Sequence, residues 1–203
     1  MGRPAVKQMA ANKSITLNRD GSNLAQYLLS IRDQDSSAFE GIVEAMQFVL
    51  DYARNFEPVE TRAIQPTMYL QMLEQLGNKT IEIPSWLIST GTLRILALLA
   101  VLRHPEPPPL IVVEEIENGL DPRTLHLILE EIRTAVEAGK CQVILTTHSP
   151  YLLNLIDVQQ LLLCTRVDGN PVFTRPGNEK SVLEWSKSFA PGQLYTMGRM
   201  GQE

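Results

Sequence analysis

A chain of 203 residues, 44% hydrophobic and 20% charged, has the composition of one globular domain, or one and a small appendage, with apolar material for a sizeable core. Its net charge of −5 argues against an indiscriminate nucleic-acid binder while leaving room for a local basic patch. The two cysteines, Cys141 and Cys164, lack CxxC spacing and sit in apolar runs. They predict reduced core residues, not a disulfide framework or zinc site.

The opening "MGRPAVKQMAANK" is basic but has no apolar signal core. Its Arg3, Lys7 and Lys13 read as a solvated tail. "DGSNLAQYLLSIR" follows with Leu24, Tyr27, Leu28 and Ile31 at helical spacing. "AFEGIVEAMQFVLDYARNF" repeats the pattern through Phe39, Ile42, Val43, Met46, Val49 and Leu50, and predicts a second helix. From Pro58 the texture changes through "VETRAIQ", "TMYLQMLEQ" and "LGNKTIEI", where Gly77 and Asn78 suit a hairpin turn between strands.

"SWLISTGTLRILALLAVL" predicts a long apolar helix beginning near Leu93, and its longest apolar run is about half a membrane span. After three prolines comes "LIVVE", a strand. "DPRTLHLILEEIRTAVEAGK" is a well-marked helix. Asp121 is its N-cap, Pro122 lies in the first turn, Leu125, Ile128, Leu129, Ile132 and Val136 form one face, and Gly139 ends it. "CQVILTTHSP" is another apolar strand and "PYLLNLI" a short helix. "QLLLCTRV" and "PVFTR" are strands around a turn at Asp168 and Gly169, and "EKSVLEWSKSF" is a terminal helix. Apolar strands joined by a crossover helix predict a parallel sheet buried on both faces, with ligands at the carboxyl ends of its strands.

Four elements then gather in order. Ser89 and Gly91 in "LISTGT" precede a helix, where unpaired N–H groups favour an anion; alone this is an ordinary cap. Glu114 and Glu115 end a strand. One carboxylate there can hold magnesium, directly or through water, and an adjacent one can deprotonate a water for attack on phosphate. Alone, the pair is also a solvated strand end. "NGLDP" makes a tight turn in which Asp121 serves as a plain N-cap. His148 in "TTHSP" ends the neighbouring strand and could bring an imidazole to a terminal phosphate.

Taken together, this order and spacing resemble the second half of an ABC-type ATPase head. The nearest match is the RecF/SMC-like branch, including bacterial predicted ATPases labelled "AAA family". "DGSNLAQYLL" and the closing "EWSKSFAPGQLYTMGRMG" also resemble that group, whose frequent Gly-Glu-Leu-Trp element reads Gly192-Gln193-Leu194-Tyr195 here.

The resemblance implies an α/β, P-loop NTPase-like carboxyl lobe with parallel strands flanked by helices, plus an N-terminal helical and β-hairpin region. It implies one partial ATPase domain over 1–203, with a helical lead-in at 1–57, a β-hairpin region at 58–86 and the motif-bearing part at 87–203. Ser89, Gly91 and Thr92 match the signature that binds the terminal phosphate of ATP on an opposite subunit. Glu114 matches the magnesium-organising acid and Glu115 the residue that polarises the attacking water. Asp121 matches the D-loop, and His148 the switch histidine. ATP and Mg2+ are the implied cofactors.

Two departures matter. The usual Asp-Glu pair reads Glu114 and Glu115, and no GxxxxGK[ST] occurs in the 203 residues. The resemblance therefore implies that a Walker A-bearing lobe or a second, head-to-tail ATPase head is the partner, that nucleic acid is a further candidate partner, and that the chain alone is inactive. Three further expectations are a truncated or split product, a cytoplasmic location and no membrane association. The competing reading is a catalytically inactive ATPase-like interaction module. A nuclease of the overcoming-lysogenization-defect type is disfavoured, because Asp157, Asp168, Glu179 and Glu184 show no metal-site spacing.

Overall fold

The computed structural model describes residues 15–61 and 67–201. The basic opening with Arg3, Lys7 and Lys13, and residues 62–65 of "VETRAIQ", lie outside the described residues. The chain divides into two compact units, residues 1–106 and 107–203.

The first unit opens with α1 (Leu24–Gln34) and α2 (Ser36–Val49). They are separated by Asp35 alone, whose extended backbone and N-cap side chain, accepting from the N–H groups of Ser37 and Ala38, start α2 afresh. The buried sets Leu24, Tyr27, Leu28, Ile31 and Phe39, Ile42, Val43, Met46 keep helical spacing, as expected. The second helix is shorter than the quoted stretch suggests. It ends at Val49, and Ala53 and Phe56 enter β1 (Ala53–Glu60), where both are buried. β1 pairs antiparallel with β2 (Met68–Leu76), which pairs with β3 (Lys79–Pro84). Leu76 faces Lys79, so the turn is the two residues Gly77 and Asn78, with Gly77 at φ 59. Pro58, lacking an N–H, sits on the edge strand β1. A 3₁₀ turn at Ser85–Leu87 leads into α3 (Thr90–Leu102), which buries Ile95, Leu96, Leu99, Ala100 and Leu102.

In the second unit β4 (Leu110–Val113) runs parallel to β5 (Gln142–Leu145), joined by α4 (Pro122–Glu137). The parallel pairing and crossover are as expected; burial on both faces is not. Ile111 and Val113 are buried, but Leu110, Val112 and Ile144 are 48%, 59% and 54% exposed. Among the described residues the sheet has these two strands only, so one pleated face is left open. On α4 the buried stripe is Thr124, Leu125, Ile128, Leu129, Ile132 and Ala135, while Val136, on the same face but in the helix's last turn, is exposed. Gly139 follows at φ 67 and ends the helix as predicted.

Beyond β5 come α5 (Pro150–Leu153) and the two-stranded ribbon of β6 (Leu163–Val167) and β7 (Asn170–Thr174). The ribbon turns at Asp168 and Gly169, both at positive φ. It is solvent-exposed along most of its length, so Cys164 is exposed, contrary to the core role expected for it. Cys141 is buried. The terminal helix expected over 179–189 is the shorter α6 (Lys180–Trp185), and a further short helix, α7 (Pro191–Thr196), follows it. Val158, Val182, Leu194 and Met200 form a small core beneath them.

Candidate functional site

The candidate residues fall into two groups, one in each unit. In the first unit, Ser89 is the N-cap of α3. Its hydroxyl accepts from the Thr92 N–H at 3.1 Å and lies 2.8 Å from the Thr92 hydroxyl. The helix starts at Thr90, earlier than the Leu93 expected, so Gly91 and Thr92 are buried within its first turn and do not precede it. The physical reason is the cap: a serine at this position satisfies an orphan N–H and lets the helix begin at once.

In the second unit, two segments remote in sequence are laced together at the carboxyl ends of β4 and β5. The Thr146 N–H donates to the Val113 carbonyl at 3.0 Å, and the Ile116 N–H to the Thr146 carbonyl at 3.3 Å. The Glu115 N–H donates to the Thr146 hydroxyl at 2.9 Å, and the His148 N–H to Glu117 Oε1 at 2.9 Å. Glu114, Glu115 and His148 are exposed at this one edge. Glu115 has φ 44, a left-handed conformation rare for a residue with a Cβ. That turn drives Ile116 into the core, where it is 0% exposed, and leaves the glutamate carboxylates at the rim. The Asn118 side-chain amide donates to Glu115 Oε2 and so orients that carboxylate.

Sequence reasoning passed over Glu117. Burial pushes its pKa up, but hydrogen bonds from its own N–H, the His148 N–H and the Thr147 hydroxyl, with the His148 charge, outweigh that and hold it below the ordinary carboxylate range. Its Oε2 is buried with no hydrogen-bond partner. A third acid directly downstream of the pair was the only available signal, and only the fold shows that it ties the histidine loop to the acids. Tyr195 was quoted only as part of the tail; its hydroxyl lies 3.5 Å from His148 Nδ1.

Asp121 caps α4. It accepts from the N–H groups of Arg123 and Thr124 at 3.0 and 3.1 Å and from the Thr124 hydroxyl at 2.5 Å. The Thr124 hydroxyl and backbone bonds hold its carboxyl below the usual range. A concavity lined by Leu110, Val136, Cys141 and Gln142 lies at the opposite, amino-terminal ends of the strands, away from the acids.

Among the described residues no three His, Cys, Asp or Glu side chains form a metal cage of their own. Magnesium in phosphate chemistry takes one or two carboxylates and fills the remaining positions with phosphate oxygens and water. The hard oxygen donors of Glu114 and Glu115 fit such a role.

Residues 8–154 match the family described as "AAA domain, putative AbiEii toxin, Type IV TA system". The Nod factor export ATP-binding protein I of Sinorhizobium fredii (strain NBRC 101917 / NGR234) is 30% identical over 116 residues, which are 57% of this chain and 31% of the relative. The chain thus spans about a third of that protein's length. A solved chain from work on ATP-driven dimerization and DNA-stimulated activation of SMC ATPases superposes with a TM-score of 0.54 at 12% identity, covering 80% of this chain and 98% of that one. The Pyrococcus furiosus Smc head domain, solved bound to the C-terminal domain of ScpA, gives 0.54 at 14% identity, covering 80% of this chain and 41% of its own. The fold is like that of the SMC ATPase heads, and the chain belongs to the AAA-domain family whose model it matches over residues 8–154.

Proposed function

We propose that this chain is the carboxyl lobe of an ATP-hydrolysing head, working as one partial ATPase domain and completed by a Walker A-bearing lobe or by a second head set head-to-tail. The observation that carries this reading is the lacing of residues 113–117 to 146–148, which gathers two acids and an imidazole at one sheet edge. Glu115 is the general base: it takes a proton from the water that attacks the terminal phosphorus as the bond to the bridging oxygen breaks. His148 donates a hydrogen bond to a terminal phosphate oxygen. Ser89, Gly91 and Thr92, at the start of α3, bind the terminal phosphate of ATP held by the opposite head. Asp121 shapes the turn that links the two sites. Glu114 is the residue that would hold magnesium, which when bound neutralises charge on the phosphate oxygens.

The 203 residues contain no GxxxxGK[ST], so the main phosphate cradle belongs to the partner lobe. The open face of Leu110, Val112 and Ile144 fits apolar cover from such a lobe. No helix among the described residues is long and apolar enough to cross a membrane, and a cytoplasmic location is part of the proposal.

The test is reconstitution. The chain is mixed with a lobe carrying GxxxxGK[ST], and phosphate release is measured for wild type and Glu115→Gln. Hydrolysis above that of either component, lost in the variant, is the expected result. If no mixture hydrolyses ATP, the chain is a catalytically inactive interaction module. Glu114 in the place of aspartate favours that second reading, because the extra methylene displaces the carboxylate by roughly one C–C bond.

A further inference from the structure

We propose that Tyr195 is a positioning residue for His148, its hydroxyl setting the ring's orientation and tautomer so that Nε2 faces the phosphate. The proposal rests on the reading of His148 given above. The backbone of His148 is pinned by Glu117, but the side chain is exposed and needs its own restraint. The Tyr195 hydroxyl, 3.5 Å from Nδ1, stands at the outer limit of hydrogen-bonding distance.

Its placement there is built into the fold. α7 docks on α5 at Gly192, where a Cβ would stand 1.9 Å from the Pro150 carbonyl oxygen and 2.7 Å from Asn154 Oδ1. The Gly192 N–H instead donates to Asn154 Oδ1 at 2.8 Å. α5 begins at Pro150, just past His148, so this contact ties the tail directly to the histidine turn. Leu194 is buried in the C-terminal core and Tyr195 packs against the same cluster. The tyrosine ring is therefore anchored through its apolar body while its polar tip meets the imidazole.

A neutral imidazole carries a single N–H, and the bond made at one nitrogen decides which one holds it. If the Tyr195 hydroxyl donates to Nδ1, the proton is on Nε2, and Nε2–H can donate to a phosphate oxygen. The opposite polarity would turn a lone pair towards the negative phosphate. The phosphate thus selects the tautomer in which tyrosine is the donor.

Nitrogen NMR on the 15N-labelled chain tests this directly, with the ring signals of His104, His126 and His148 assigned through His148→Gln. Tyr195→Phe removes only the hydroxyl and is expected to move the His148 Nδ1 resonance towards its unbonded value, leaving the other two histidines unchanged. Tyr195→Trp offers a donor-only indole N–H and is expected to keep the wild-type shift. Gly192→Ala, which forces α7 away from α5, is expected to reproduce the Tyr195→Phe spectrum. In the reconstituted ATPase, Tyr195→Phe should lower kcat by roughly fivefold with KM unchanged, the effect of one ordinary hydrogen bond, and Tyr195→Trp should restore it. Unchanged His148 resonances in Tyr195→Phe overturn the inference even if the wild type hydrolyses ATP. A shifted resonance supports it even if no mixture hydrolyses ATP, in which case the proposed function fails instead.

Discussion

The two groups of candidate residues are built in opposite ways. At the start of α3, the polar atoms of Ser89 and Thr92 meet each other within one helical turn. At the ends of β4 and β5, the bonds from Glu115 to Thr146 and from His148 to Glu117 each join residues 31 positions apart. The first arrangement forms wherever its few residues turn into a helix. The second exists only when the whole strand–helix–strand unit has closed. Damage to the first should therefore stay local, and damage to the second should spread.

The largest expected effect breaks the second group chemically. Glu115→Gln keeps the shape and the backbone bond to Thr146 but removes the proposed base, so ATP turnover in the reconstituted mixture should fall by about 10²–10⁴-fold with an unchanged melting temperature. A melting temperature that drops with it would mean that Glu115 is structural. Next comes Ile116→Ala, which empties a fully buried site under the acids. A loss of about 2–5 kcal/mol is expected in urea unfolding. A loss near zero would show that the turn at Glu115 does not depend on that burial.

Acid should act on the second group through Glu117. Its folded pKa lies below the unfolded value. The unfolded chain therefore binds more protons between the two values, and the stabilisation is present above the unfolded pKa and lost as pH falls through the folded one. Urea melts at successively lower pH should show this slope for the wild type, and Glu117→Gln should flatten it. An identical slope in the variant would place the acid sensitivity elsewhere, with Asp121, whose carboxyl is also held low, as the next residue to test.

The smallest effect sharpens the contrast from the other side. Ser89→Ala should cost about 1 kcal/mol, the worth of one N-cap. Ser89→Asp should restore that stability, since aspartate caps equally well, yet still abolish ATP turnover by opposing a phosphate. If Ser89→Asp hydrolyses ATP normally, Ser89 is a cap and nothing more.

The same contrast explains what was legible. The helices were read from apolar spacing, and the hairpin from Gly77 and Asn78, because those signals act between neighbours in the chain. Asp121 was found as a cap for the same reason. The end of α2 at Val49 was missed because Ala53 and Phe56 continue an apolar pattern that suits helix and strand alike. Burial of both faces of β4 and β5 was wrongly expected because a run of apolar residues does not say how many strands will cover it. Cys164 failed for the same reason: its apolar neighbours lie in an exposed ribbon.

By itself, then, the sequence determined the order of the elements, the caps that start α3 and α4, and the presence of two acids and a histidine after apolar strands. These follow from short-range forces, namely backbone hydrogen bonding, side-chain spacing and turn geometry. The neighbouring strand ends were expected, but only the tertiary structure decided which hydrogen bonds lace residues 113–117 to 146–148, that Glu117 holds the histidine loop, and that Tyr195 reaches His148. Those contacts span 30 to 47 positions, and no local preference encodes them. They arise because burying Ile116, Leu152 and Leu194 brings distant segments together, and the polar groups at the rim are carried along with them.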